Sequence, residues 1–91
     1  NPDPILLPAE SYPVRGQFER LLDILNAGAP FDFIHDLRTR SCRAEAIAAF
    51  LAVLELARLR LVRIHQTESG EIVLYRTTLD PTAEDLESVD A

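Results

Sequence analysis

Large apolar side chains first settle into a pattern at Phe18, Leu21, Leu22 and Leu25, which stand at i, i+3, i+4 and i+7, with Arg15, Glu19, Arg20 and Asp23 mostly on the other side. The spacing predicts a helix from Val14, stopped by Asn26, Gly28 and Pro30, with Gly28 free to take a left-handed cap conformation. Phe31, Asp32 and Phe33 alternate for too few residues to make more than a stub of strand. A short second helix is expected over 33–37, capped by Asp32. Thr39, Arg40 and Ser41 form a polar turn, and Ser41 is expected to cap a third helix over 42–59. Arg58 and Arg60 mark its end, where their charge suits the negative pole of the helix dipole. Two apolar-rich runs, 61–67 and 71–77, are separated by Glu68, Ser69 and Gly70 and read as a β-hairpin.

Helix, stub, helix, turn, helix and hairpin is the order of an α+β winged helix-turn-helix, here spanning 14–78. Before it, residues 1–13 carry prolines at 2, 4, 8 and 13 and read as an extended linker with one apolar cluster, Ile5-Leu6-Leu7. After it, residues 79–91 are polar and acidic and are expected to be a disordered tail.

The third helix is apolar nearly all round. Ile47, Phe50, Leu51 and Leu54 form one stripe, and Ala46, Ala49, Val53, Leu56 and Ala57 form another, interrupted only by Glu45, Glu55 and Arg58. Such a helix is expected to be buried on more than one side, either wholly within the domain or partly against a partner. A DNA-reading helix would instead present Arg, Asn, Gln or Ser to base edges. In the hairpin, Val62, Ile64 and Gln66 share one strand face, with Ile72 and Leu74 on the strand opposite. A two-stranded hairpin also leaves an open edge that another strand could join.

Composition narrows the function. The chain has 91 residues, 47% hydrophobic and 26% charged, which fits one small soluble domain with a folded core and little stability to spare. Its net charge of -6 argues against an autonomous nucleic-acid binder, although residues 38–63 hold six arginines against Glu45 and Glu55, and residues 80–90 hold five acids. The competing reading is therefore a winged-helix DNA binder, a transcription regulator using Arg38, Arg40, Arg43, Arg60 and Arg63. No run approaches a membrane span and no signal-peptide pattern opens the chain, so a soluble intracellular protein without membrane partners is expected. Cys42 has no second cysteine to pair with, as suits a reducing compartment, and the absence of methionine even at position 1 suggests a piece of a longer chain. His35, His65 and Cys42 share no ligand spacing, and the glycines at 16, 28 and 70 form no phosphate loop. No catalysis, metal or cofactor is expected.

The run Phe50-Leu51-Ala52-Val53-Leu54-Glu55-Leu56, followed by Leu61-Val62-Arg63-Ile64-His65-Gln66 and then Gly70-Glu71-Ile72, resembles the C-terminal domain of the segregation and condensation protein A (ScpA) family, the bacterial kleisins. The likeness covers about 14–76; where family members commonly carry an aromatic before Gly-Glu-Ile, this chain has Ser69. The resemblance implies a non-catalytic winged-helix module that docks on the ATPase head of an SMC protein during chromosome condensation and segregation. The ATP chemistry would belong to the SMC partner, and the kleisin's other end would engage the second SMC subunit and close a ring around DNA. It further implies binding of ScpB by other parts of the full-length protein, an indirect relation to DNA, and a cytoplasmic, nucleoid-associated location. The positions matching the family's contacts are Phe50, Leu54 and Gln66: two apolar anchors and an amide able to bond a neighbouring strand. Phe50 and Leu54 lie on the stripe that periodicity would otherwise give to the domain's own core, so the two roles stay open. A stripe left bare would favour weak self-association of the isolated domain.

Overall fold

The computed structural model describes residues 13–78 and Val89. The expected linker, Pro13 apart, and the expected acidic tail, Val89 apart, lie outside the described residues; Val89 is buried with the core. The elements run α1 (Val14–Asn26), β1 (Phe31–Asp32), α2 (Phe33–Arg38), α3 (Arg43–Arg58), β2 (Val62–Gln66) and β3 (Ile72–Arg76). This is an α+β winged-helix fold. Its sheet has three antiparallel strands in the order β1-β3-β2, where the sequence suggests a two-stranded wing beside a stub. Phe31 and Asp32 pair with Leu74 and Val73, so β3 becomes the central strand and, among the described residues, β2 keeps an open edge.

Helix boundaries follow local chemistry. Gly28 has φ +94° and closes α1, its N–H donating to the Leu25 carbonyl at 2.9 Å. Asp32 caps α2 as expected, its Oδ1 accepting from the His35 N–H at 3.1 Å. Ser41 does not cap α3. The helix starts at Arg43 with Cys42 as its N-cap, and Ser41, one residue earlier, is held by Glu45. The Ser41 N–H and hydroxyl donate to Glu45 Oε1 at 2.7 and 2.8 Å, a back-reaching carboxylate that does the work of a capping box displaced by one residue. At its other end α3 closes in a Schellman motif: the Leu61 N–H donates to the Leu56 carbonyl at 2.9 Å and the Arg60 N–H to the Ala57 carbonyl at 3.0 Å. The motif requires a left-handed residue after the cap, and Arg60 fills it at φ 63°.

The core forms where α1 lays Phe18, Leu21 and Leu25 against Ala49, Ala52, Val53 and Leu56 of α3, above Leu61, Val62 and Leu74 of the hairpin and Phe33 of α2. The small side chains of α3 let α1 approach closely, since interhelix distance follows side-chain size at the contact. Among the described residues, Phe18, Leu21, Leu25, Leu56, Leu61 and Leu74 are fully enclosed, each contributing about 1.5–3 kcal/mol of burial. Of the two arrangements expected for α3, burial of every apolar face within the domain is not what the described residues show. Its alanine-rich stripe is buried, and the stripe of Ile47, Phe50, Leu51 and Leu54 is not.

A polar clamp fixes the three helices. Arg20 of α1 donates from both terminal nitrogens to the Asp36 carboxylate of α2 at 2.9 and 2.8 Å, and Asp36 is buried. Arg40 approaches the same carboxylate at 3.5 Å and Glu45 of α3 at 3.6 Å, while Gln17 donates to Glu45 at 3.4 Å. At the hairpin base, Arg76 donates to the Asn26 side chain at 2.8 Å, and the Thr77 hydroxyl to the Arg60 carbonyl at 2.7 Å. Both ends of α3 are thus pinned, which holds its outer face in a fixed orientation.

Candidate partner-docking site

Ile47, Phe50, Leu51 and Leu54 recur at i, i+3, i+4 and i+7, so they share one face of α3, roughly half a turn away from the stripe that packs on α1. They are 50, 49, 42 and 48% exposed. Half of each large side chain therefore stays in water, in a contiguous row where scattered single residues would be unremarkable. Completing the burial of each would contribute on the order of 1 kcal/mol, half the value of a full transfer. Among the described residues no element of the domain supplies that cover.

The row has polar ends. Exposed Arg43 precedes it, and Arg58 follows it, donating to Glu55 at 2.8 Å. Beside the row, Val14 of the first turn of α1, Leu51, Leu54 and Glu55 line a shallow groove of about 260 Å³. An apolar row with charged ends and a flanking groove has the distribution of polarity common at protein interfaces, apolar in the centre and polar at the rim.

The second part of the surface belongs to the hairpin. Ile64 pairs with Leu74 and Gln66 with Ile72, which puts both on the sheet face that starts at buried Val62. Leu74 is enclosed, yet Ile64 on the edge strand is 48% exposed, and Gln66 is exposed too. A concavity of about 530 Å³ is lined by Arg63, Ile64, His65 and Tyr75; because successive β2 residues contribute from both faces, it follows the strand's open edge. The structure thus brings Phe50 and Leu54 together one helical turn apart. Gln66 stands separately, about 13 Å along β2 from the point where that strand joins the core. Ile47, Leu51 and Ile64 extend the surface beyond the three positions taken from motif resemblance. The signal for the first two was their shared stripe with Phe50 and Leu54; the exposure of Ile64 depends on β2 being an edge, which periodicity does not reveal.

The arginines do not gather into one surface. Arg40 is engaged by Asp36 and Glu45, whereas Arg38, Arg43, Arg60 and Arg63 are exposed. Arg38 and Arg43 lie at the start of α3, and Arg60 and Arg63 beyond its end, about 24 Å apart along the helix axis. Nine arginines face eight acids over residues 13–78, so the described body is close to neutral. His35, Cys42 and His65 lie on separate elements and are exposed, and among the described residues no group of three or more His, Cys, Asp or Glu side chains is placed to hold a metal ion. No described helix is long and apolar enough to cross a membrane.

The Glu45 carboxyl departs from its ordinary behaviour. Hydrogen bonds from the Ser41 backbone and hydroxyl hold the Glu45 carboxyl below its usual range, with Arg40 and Gln17 adding to the effect against the opposing cost of burial. Its role is to secure the start of α3 and hence the orientation of the exposed row.

Comparison with known proteins returned two curated relatives, both named segregation and condensation protein A. The protein from Clostridium botulinum strain Eklund 17B (Type B) is 28% identical over 71 residues, covering 78% of this chain and 28% of the relative. That from strain Alaska E43 (Type E3) is 27% identical over 75 residues, covering 82% of this chain and 30% of the relative. The chain therefore spans less than a third of the length of the curated relatives it matches. No family model matches the chain, and no solved structure matches it.

Proposed function

From the premise that this chain is related to segregation and condensation protein A, we propose that it is the module of a kleisin-type subunit that docks on the ATPase head of an SMC protein, serving chromosome segregation and condensation. The observation that carries the reading is the row Ile47, Phe50, Leu51 and Leu54, half exposed on a helix whose opposite side is fully packed. Phe50 and Leu54 would be the anchors, Ile47 and Leu51 would widen the contact, and Ile64 and Gln66 would extend it along the wing. The module itself carries out no chemistry; ATP hydrolysis belongs to the partner. ScpB and DNA would be met through the rest of the full-length protein and through the SMC complex, in the cytoplasm at the nucleoid.

Titration of the chain with a purified SMC ATPase head, comparing the wild type with Leu54→Lys, tests the proposal. Because Leu54 lies outside the core, the variant is expected to keep its circular dichroism spectrum and melting profile while affinity drops by at least about 30-fold, the lower bound for a central hot spot. Equal affinity for both forms would remove this face from the interface, and absence of wild-type binding would overturn the docking role.

A further inference from the structure

We propose that the open edge of β2 receives an extended segment of another protein, one whose residues alternate acid, apolar, acid, and which joins the wing as a further strand. The phase of the ladder decides what this edge offers. The Thr77 N–H donates to the Leu61 carbonyl at 3.1 Å and the Thr67 N–H to the Glu71 carbonyl at 2.9 Å. In an antiparallel pair, residues that bond across the ladder recur at every second position, so Arg63 and His65, between these points, also turn their backbone groups toward β3. Ile64 and Gln66 therefore direct their N–H and C=O groups the other way, to the side on which the described residues place no strand. The register from Val62 to Gln66 is unbroken, with no proline and no bulge to blunt the edge.

Strand addition takes its affinity from such main-chain bonds and its selectivity from alternate side chains. A residue opposite Ile64 would lie on the inner sheet face, beside a side chain 48% exposed, where an apolar group is suited. Its two neighbours would lie on the outer face, opposite Arg63 and His65. Those two side chains are exposed, and their partners across the ladder are Tyr75 and Val73, neither of them an acid. The concavity of about 530 Å³ lined by Arg63, Ile64, His65 and Tyr75 gives incoming carboxylates room, with the Tyr75 hydroxyl as a further donor. A second copy of the chain does not match this pattern. Val62–Gln66 contains no acidic residue, so pairing β2 with itself leaves each Arg63 without a counter-charge. Strand addition depends on the wing alone and not on the α3 row, so its failure and that of the docking role above are separate results.

Backbone NMR of the full chain tests this in two steps. In the free chain, the N–H groups of Ile64 and Gln66 are expected to exchange with solvent faster than those of Arg63 and His65. Slow exchange at Ile64 and Gln66 would overturn the proposal by showing the edge already covered, by this chain or by a second copy. An end-blocked peptide of alternating Glu and Val is then added. Protection of the Ile64 and Gln66 N–H groups is expected, with binding about tenfold tighter than for the matching peptide of Lys and Val, since acids rather than cations then face Arg63 across the ladder. Arg63→Glu, at an exposed position, should keep the fold and reverse the order of the two peptides. Equal binding of both peptides, shifts without protection at Ile64 and Gln66, or no binding would each overturn the proposal. So would a stronger response to an oligonucleotide, which would give Arg63 and His65 to phosphates.

Discussion

Arg60 holds a left-handed backbone conformation that costs an L-residue with a side chain roughly 1 kcal/mol and costs glycine almost nothing. Arg60→Gly is therefore expected to stabilise the domain by up to about 1 kcal/mol, raising the melting temperature by about 4–8 °C. A lower melting temperature would show that the arginine side chain contributes more than its backbone costs. Asp36 presents the opposite case. Removing it in Asp36→Ala leaves Arg20 and Arg40 without their shared carboxylate, with an expected loss of about 2–4 kcal/mol in urea unfolding, somewhat below the cost of breaking a fully buried pair because Arg20 keeps contact with water. Glu45 adds a pH dependence. Its folded pKa is depressed, so its stabilisation is present above the unfolded carboxylate value near 4.5 and is lost as pH falls through the lower folded value. Glu45→Gln should flatten the acid limb of the stability profile below that point, and an unaltered limb would contradict the role given to Ser41 and Arg40.

Helix α3 carries two apolar faces, one buried and one half exposed, and substitutions should separate them. Leu56→Ala on the inner face is expected to cost about 2–5 kcal/mol in urea unfolding, while Phe50→Ala on the outer face should cost less than about 1 kcal/mol. The helix and both of its stripes were legible in the sequence because they depend only on periodicity. Which stripe faces inward was not, since Leu and Phe suit either a core or an interface and the choice rests on how α1 docks. The alanines decide it: they give α1 a close seat, and the bulkier Ile47, Phe50, Leu51 and Leu54 are left outside. The wing shows the same limit. The hairpin and its register follow from alternation around Gly70, and the stub at β1 from its short alternation, but the place of β1 beside β3 does not, because that pairing is a tertiary contact. The displaced cap at Ser41 escaped for a local reason: a serine before a helix usually caps it, and here Glu45 binds that serine from one residue further along.

As a whole the molecule offers a row of four half-exposed side chains, on the order of 100 Å² each, so a pair of copies joined through it would bury roughly 800 Å², below the 1,200–2,000 Å² of stable specific interfaces. The chain is expected to be monomeric at tens of micromolar in analytical ultracentrifugation, and a tight dimer there would contradict that reckoning. A larger partner that also engages Ile64 and Gln66 along the wing could reach the required area. The near-neutral body and the separation of Arg38 and Arg43 from Arg60 and Arg63 lead to a further expectation for such a complex. Its affinity should change little between low and moderate salt, unlike the steep loss that phosphate contacts produce.

The central claim is that the outer face of α3 is where the partner sits. Methyl NMR of the chain during titration with an SMC ATPase head addresses it most directly. The account predicts that Ile47, Leu51 and Leu54 signals shift or broaden together with Ile64, while Leu21, Leu25 and Leu56 remain in place. Binding that leaves the α3 row unperturbed, or no binding at all, would contradict it.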